Sequence, residues 1–237
     1  MGAVQFRQHQ GTFEGIYRRI SLLSRLRTAP LALCRRRNYL PFMTPGSAIL
    51  AIWILWALSW LAASAWTGRT AGRAGLKAEL TYRAPIFAGV ALIAFSRHGV
   101  LARHLYDLPP GGAAWAFPVL VAGGFLFAWW ARLHLGPLWS SSVTRKQDHR
   151  IVDTGPYGFV RHPIYTGLIF SFLVSGAYFC TLAQLLGVPL AIAGIVVKAR
   201  IEERFLREQL GREAYDAYAR RVPMLVPLLK GRMGGGE

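Results

Sequence analysis

Charge is scarce in this chain, and negative charge scarcer still. Only 16% of the 237 residues are charged, and Asp and Glu together number 11 against 28 Lys and Arg. Soluble domains carry about one quarter charged residues, so this is a membrane composition. Cysteine is equally sparse. Cys34 and Cys180 lie far apart with no metal-type spacing near them, which argues against a disulfide framework and points to no metal site. Strand-type alternation and internal repeats are missing. The glycine-rich nucleotide turn between strand and helix is missing too, because "GPYG" at 155–158 follows no buried strand.

What the chain has is apolar length. It is 53% hydrophobic, with eight tryptophans. Five apolar runs stand out, at 47–66, about 84–101, 113–135, 164–181 and 185–197. The first carries no charge and is long enough to span a bilayer. Arg97 and His98 sit near the end of the second, where an arginine can snorkel, and Trp129 and Trp130 are placed like an interfacial belt. The fourth and fifth runs, separated only by "LAQ", predict a tight helical hairpin. The expected fold is an all-α integral membrane protein of about five transmembrane helices.

The net charge of +17 would suggest nucleic acid in a soluble protein. On so apolar a chain it reads instead as cytoplasmic-face arginine facing anionic lipid. Two polar segments, "GPLWSSSVTRKQDHRIVDTGPYGFVRH" and "KARIEERFLREQLGREAYDAYARRVPMLVP", flank the hairpin and so share one side of the membrane. Placing that side in the cytoplasm puts eighteen lysines and arginines inside and only Arg97 and Arg103 outside, as the positive-inside rule asks. The first 42 residues, with eight arginines, break the pattern. They read as a basic N-terminal extension: a cytoplasmic amphipathic helix, a targeting or disordered segment, or sequence foreign to the native protein, with Met43 as an alternative start. The membrane domain is then 43–237.

Taken singly, the polar residues have ordinary readings. "GPYG" is a turn, "RHP" a helix start with Arg161 reaching phosphate headgroups, and His149 a solvated loop histidine. Glu203 and Arg207 make an i,i+4 pair, and Tyr215, Tyr218 and Val222 line an amphipathic helix. Taken together, His149, His162, Tyr157, Tyr165, Glu202 and Glu203 supply donors, acceptors and stacking faces beside lipid. That suits a polar, aromatic cofactor meeting a lipid-borne substrate. A carboxylate at the membrane end of a helix is expensive unless paired or used.

"HRIVDTGPYGFVRHPIYTG", a helical hairpin, and "RIEERFLREQLGREAYDAYARRVPMLVP" together resemble the isoprenylcysteine carboxyl methyltransferase family and its bacterial relatives, over about residues 142–229. The resemblance implies an integral membrane methyltransferase with a C-terminal cytoplasmic segment that binds S-adenosyl-L-methionine. It places His149, Arg150, Ile151 and Val152 along the cofactor, followed by Tyr157, His162, Pro163, Ile164 and Tyr165, with Glu203 meeting a polar cofactor group. Tyr165 and Arg200 are the expected catalytic residues: Tyr165, like Tyr157, turns a ring face toward the sulfonium, and Arg200 or Arg161 steers an anionic headgroup. Two positions depart from the eukaryotic pattern: Ser142 stands where a cofactor-contacting glutamine is expected, and Ala199 where a substrate-facing arginine is expected. These departures bear on a carboxylate acceptor more than on the cofactor.

The expected acceptor is lipophilic or prenyl-type, and the expected setting a bacterial inner membrane with the site facing the cytoplasm. A sterol-reductase-like enzyme using NADPH, a phospholipid amine methyltransferase and a non-catalytic protein of the same fold are the alternatives. Membrane lipids, not nucleic acid, are the expected partners.

Overall fold

The structure is a computed structural model describing residues 43–65, 70–73, 75–95, 99–106, 112–139, 144–146 and 151–227, with backbone alone at 70–73 and 144–146. The N-terminal extension, Arg97, His98, Ser142, His149 and Arg150 lie outside the described residues.

Helix α1, Pro45–Ala63, begins where its sequence says it should. Thr44 and Ser47 form a reciprocal capping box, and Pro45 occupies the first turn. Helices α2, Leu76–Phe95, and α3, Ala116–Leu135, follow. The short α4, Pro156–Phe159, leads into α5, Pro163–Phe179, α6, Leu182–Leu210, and α7, Arg212–Arg221. Helices α1, α2, α6 and the stretch Gly112–Leu138 that contains α3 are long and apolar enough to cross a bilayer. Helix α5, with 17 residues, is shorter, at the lower limit for a span. The architecture is that of an all-α integral membrane protein.

Three boundaries differ from the sequence expectation. Helix α2 starts at Leu76, not Ala84, because its polar first turns are held by a Glu79–Arg83 ion pair at 2.9 Å. It ends at Phe95, ahead of a 3-10 turn, Val100–Ala102, that follows Gly99. Helix α6 does not stop near Val197: "KARIEERFLREQL" continues it to 29 residues, so Glu202 and Glu203 ride on the spanning helix itself. Nor is "LAQ" the hairpin turn. Thr181 accepts a hydrogen bond from the Gln184 backbone N–H at 3.2 Å, making Leu182–Gln184 the first helical turn. The connection shrinks to Cys180 and Thr181. Backbone bonds from Leu105 to Cys180 (2.8 Å) and from Leu182 to Arg103 (3.2 Å) tie it to the loop after α2.

One feature has no sequence signature. Strand β1, Thr70–Arg73, pairs antiparallel with β2, Thr144–Lys146, in the register Thr70↔Lys146, Gly72↔Arg145 and Arg73↔Thr144. The loops after α1 and α3 thus meet at one end of the bundle, as the charge count requires of two loops on one membrane side.

Helix packing rests on small residues, because lipid supplies no hydrophobic drive between helices and close backbone approach must do so. Helix α2 meets α6 through Gly89, Gly187 and Ala191; a Cβ on Gly89 would lie 2.5 Å from the Gly187 carbonyl. Helix α3 meets α5 through Gly124, Gly167 and Ser171, whose hydroxyl donates to the Val121 carbonyl at 3.1 Å. Tryptophans of α1 and α3 carry the polar contacts: Trp53 donates to Ser175 (3.0 Å) and Trp129 to Ser59 (3.1 Å). Trp129 therefore points into the bundle rather than into an interfacial belt, while Trp130 stays exposed. Arg132, fully buried, donates to the carbonyls of Gly136 (2.8 Å) and Ala63 (3.0 Å) and lies over Trp139 at 4.5 Å, joining the ends of α1 and α3.

A methyl at Gly89 would meet the Gly187 carbonyl and the backbone N and Cβ of Ala191, none of which can swing aside. Gly89→Ala is expected to lower stability by about 1–3 kcal/mol, read as a lower melting temperature in detergent. Gly123→Ala, on an open face with nothing within 4 Å, leaves the melting temperature unchanged.

Candidate active site

The approach to α5 is shaped by a glycine that cannot be replaced. Gly155 has φ +57°, and a Cβ there would lie 2.8 Å from Cε1 of the His134 ring. The turn it makes starts α4 at Pro156 and buries Tyr157, whose ring stacks on His134 with centroids 6.3 Å apart. Burial pushes the Tyr157 phenol well above its usual range, with the Glu202 charge adding to the effect, so it stays neutral. Its backbone carbonyl accepts from the Tyr218 hydroxyl at 2.8 Å, which carries α7 onto the turn.

The chain then pairs with its own tail. Arg161 N–H donates to the Pro223 carbonyl (2.9 Å) and His162 N–H to that of Met224 (3.1 Å), while the Thr166 hydroxyl donates to Leu225 (2.8 Å). The proline-bearing "VPMLVP" segment is thus an acceptor strip laid along "RHPIYT". Helix α7 is amphipathic as expected, but Tyr215, Tyr218 and Val222 pack against Ile151, Leu206 and Leu210, not into an interface with lipid.

Arg161 is the centre of this arrangement. Its guanidinium reaches Glu203 Oε1 through Nε (2.8 Å) and the terminal NH2 (2.7 Å), and donates to the carbonyls of Ala219 (2.9 Å) and Val222 (2.6 Å). It therefore neutralises a buried carboxylate on α6 and caps the C-terminus of α7 at once. Arg207 lies 3.8 Å from the other Glu203 oxygen and is itself held by Asp216 at 2.7 Å.

His162, buried at the N-terminus of α5 with Pro163 in the first turn, faces both glutamates. Its Nδ1 is 3.7 Å from Glu202 and its Nε2 is 3.4 Å from Glu203. Nε2 is buried and has no hydrogen-bond partner among the described residues. The imidazole stacks on Tyr165, with centroids 5.5 Å apart and planes 14° apart. The Tyr165 hydroxyl donates to Glu202 at 2.6 Å. Lys198, one turn back on α6, sits 3.9 Å from Glu202 and 5.3 Å from the centroid of the Tyr165 ring.

Of the residues expected at a cofactor, His162, Tyr165 and Glu203 come together here. Val152, Tyr157 and Ile164 share the adjoining apolar cluster with Ala128, Ala131 and Trp139. Pro163 is buried at the head of α5, and Ile151 lies under α7. Arg200 does not join them. It is exposed between buried Ala199 and Ile201 and makes none of the ion pairs to the glutamates seen among the described residues. The cation in contact with Glu202 and Tyr165 is Lys198, which sequence reasoning passed over. Its i,i+4 spacing to Glu202 was the available signal.

The sequence model of the isoprenylcysteine carboxyl methyltransferase family matches residues 116–208, from α3 through both glutamates. This segment of the chain belongs to that family. The family segment begins earlier than the motifs alone suggested, taking in α3, and ends before α7. Two curated relatives are each 32% identical. The cobalt-zinc-cadmium resistance protein CzcN of Cupriavidus metallidurans aligns over 132 residues, 55% of this chain and 59% of that protein. Protein-S-isoprenylcysteine O-methyltransferase B of Arabidopsis thaliana aligns over 94 residues, 37% and 44%. The matches thus span about half the length of these relatives.

Arg161→Met leaves Glu203 buried without its main partner, at an expected cost of about 3–5 kcal/mol. Adding Glu203→Gln removes the stranded charge and recovers part of the loss. A double-mutant cycle on thermal unfolding in detergent checks this; strict additivity would mean that the pair is uncoupled.

Proposed function

We propose that this protein transfers a methyl group from S-adenosyl-L-methionine to a lipophilic or prenyl-type acceptor, a carboxylate or thiolate, at the cytoplasmic surface of a bacterial inner membrane. The observation that carries the reading is the His162–Tyr165–Glu202–Glu203 cluster, in which His162 and Glu203 are buried and Tyr165 and Glu202 half-buried, and which lies inside the family segment.

The residues present fit such a cofactor. His162 Nε2, buried without a hydrogen-bond partner among the described residues, offers a polar contact. The carboxylates of Glu202 and Glu203 complement a ligand carrying sulfonium and ammonium charge, and the rings of Tyr157 and Tyr165 offer faces for an adenine or a cation. Ile151, Val152, Tyr157, His162, Pro163, Ile164, Tyr165 and Glu203 would hold the cofactor, together with His149 and Arg150. When bound, the cofactor supplies an electrophilic methyl with its own leaving group.

The protein's part is then to align, exclude water and stabilise charge. Tyr165, fixed by its bond to Glu202 and its stack on His162, presents a ring face to a cation, worth on the order of 1–2 kcal/mol when desolvated. Helix α7 and the "VPMLVP" strip cover the turn from the aqueous side. An ionised carboxylate or thiolate acceptor needs no general base. An amine acceptor would need one, and His162 between two carboxylates is the group built to take its proton. The positive loops support a cytoplasmic position for this end of the bundle.

Calorimetry with S-adenosylhomocysteine on detergent-purified protein tests the reading. Wild type is expected to bind, and His162→Ala and Glu203→Ala to lose at least about 10-fold in affinity, the scale of a lost charge-assisted hydrogen bond. Binding of NADPH in place of S-adenosylhomocysteine would overturn it.

A further inference from the structure

We infer that Arg200 and Arg204 form a site for one anionic phospholipid on the outward face of α6, at the depth of the candidate active site but on the other side of the helix. The site does not depend on the methyl-transfer reading. Both arginines are exposed, one helical turn apart. Neither makes an ion pair or a hydrogen bond found among the described residues. The carboxylates of α2 and of the candidate active site are engaged elsewhere: Glu79 with Arg83 (2.9 Å), Glu202 with the Tyr165 hydroxyl (2.6 Å) and Glu203 with Arg161 (2.7 Å). Glu208, a turn beyond Arg204, is engaged as well. Two like charges at i,i+4 repel one another, so this pair asks for an anion from outside the chain.

Helix length says where that anion lies. Helix α6 has 29 residues, about 43 Å of helix, against about 30 Å of hydrocarbon in a bilayer. Counted from Leu182, the hydrocarbon is crossed after about 20 residues, close to Ile201. Arg200 therefore stands at the boundary and Arg204 one turn into the headgroup layer. With Cβ atoms about 6 Å apart, both guanidinium forks can close on a single phosphate.

The rest of the same face is apolar. Leu186, Leu190 and Ala193 are exposed and Val197 is half-buried, at three- and four-residue steps that continue to Arg200 and Arg204. An acyl chain laid on this stripe brings its phosphate to the two arginines. A phosphatidylglycerol fits better than a phosphatidylcholine, whose own ammonium competes for the phosphate. The opposite face of these turns carries buried Ala199 and Glu203, so a lipid held here also fixes the depth of the helix end that bears both glutamates.

The full chain in detergent is incubated with trace phosphatidylglycerol carrying a diazirine in its acyl chain, irradiated, and mapped by peptide mass spectrometry. Label is expected in α6 between residues 186 and 204. Unlabelled phosphatidylglycerol is expected to displace it at about one tenth of the concentration that phosphatidylcholine needs. Arg200→Gln and Arg204→Gln each raise the phosphatidylglycerol concentration needed by about 5-fold, the scale of one basic residue near an anionic surface, and the double variant loses the preference between the lipids. Arg220→Gln, at an exposed arginine of α7, changes nothing. Melting temperatures in lipid-free detergent match wild type, because no internal contact is removed. Equal displacement by the two lipids, an unchanged double variant, an equal loss in Arg220→Gln, displacement by inorganic phosphate at the same concentration, or a melting temperature lowered by either α6 substitution would each overturn the inference.

Discussion

The guanidinium of Arg161 lies between a buried carboxylate and the end of a helix, and the rest of the site is placed through it. On one side it carries the charge of Glu203; on the other it caps α7 through the carbonyls of Ala219 and Val222. A carboxylate this near the apolar part of α6 could not stay ionised without such a partner. The same contact presses the C-terminal strip against the entry to α5, which fixes His162, and His162 in turn stacks on Tyr165. One arginine therefore links a membrane helix, a loop and the tail into a single polar unit.

That unit sits at one end of a bundle whose remainder is held by quite different means. Along α2–α6 and α3–α5 the contacts are glycine, alanine and serine, where backbones approach closely and little is polar. The division is physical: in hydrocarbon an unsatisfied polar group is costly, so polar chemistry gathers where α5 begins and α6 ends. The polar groups left inside the bundle are bonded there: Ser171 donates to the Val121 carbonyl, Ser175 accepts from Trp53, and Arg132 donates to the carbonyls of Gly136 and Ala63.

Much of this was legible in the sequence. Apolar run length points to the helical membrane fold, and "RHPIYTG" with the glutamate pair points to the family, over about residues 142–229 where the family model matches 116–208. The tight hairpin is legible in outline, but its turn lies at Cys180 and Thr181 and not at "LAQ", because the Thr181 cap starts α6 at Leu182. The continuation of α6 past Val197 was obscured by its change from apolar to charged composition, although nothing in "KARIEERFLREQL" breaks a helix. Sequence places Arg200 next to the expected cation position, but which neighbour faces inward is decided by the helix, which leaves Arg200 exposed and Lys198 against Glu202. The role of Arg161 as a clamp depends on contacts between residues far apart in the chain, and no local pattern encodes those. His149 and Arg150 lie outside the described residues.

The central claim is that the cluster around His162, Tyr165 and Glu203 is a cofactor site. Photo-crosslinking of methyl-labelled S-adenosyl-L-methionine, followed by peptide mapping, tests it most directly. The account predicts label in the peptide spanning residues 151–165 or in the one carrying Glu202 and Glu203, lost when excess S-adenosylhomocysteine competes. Label confined to other helices, or no label that competes, would contradict it.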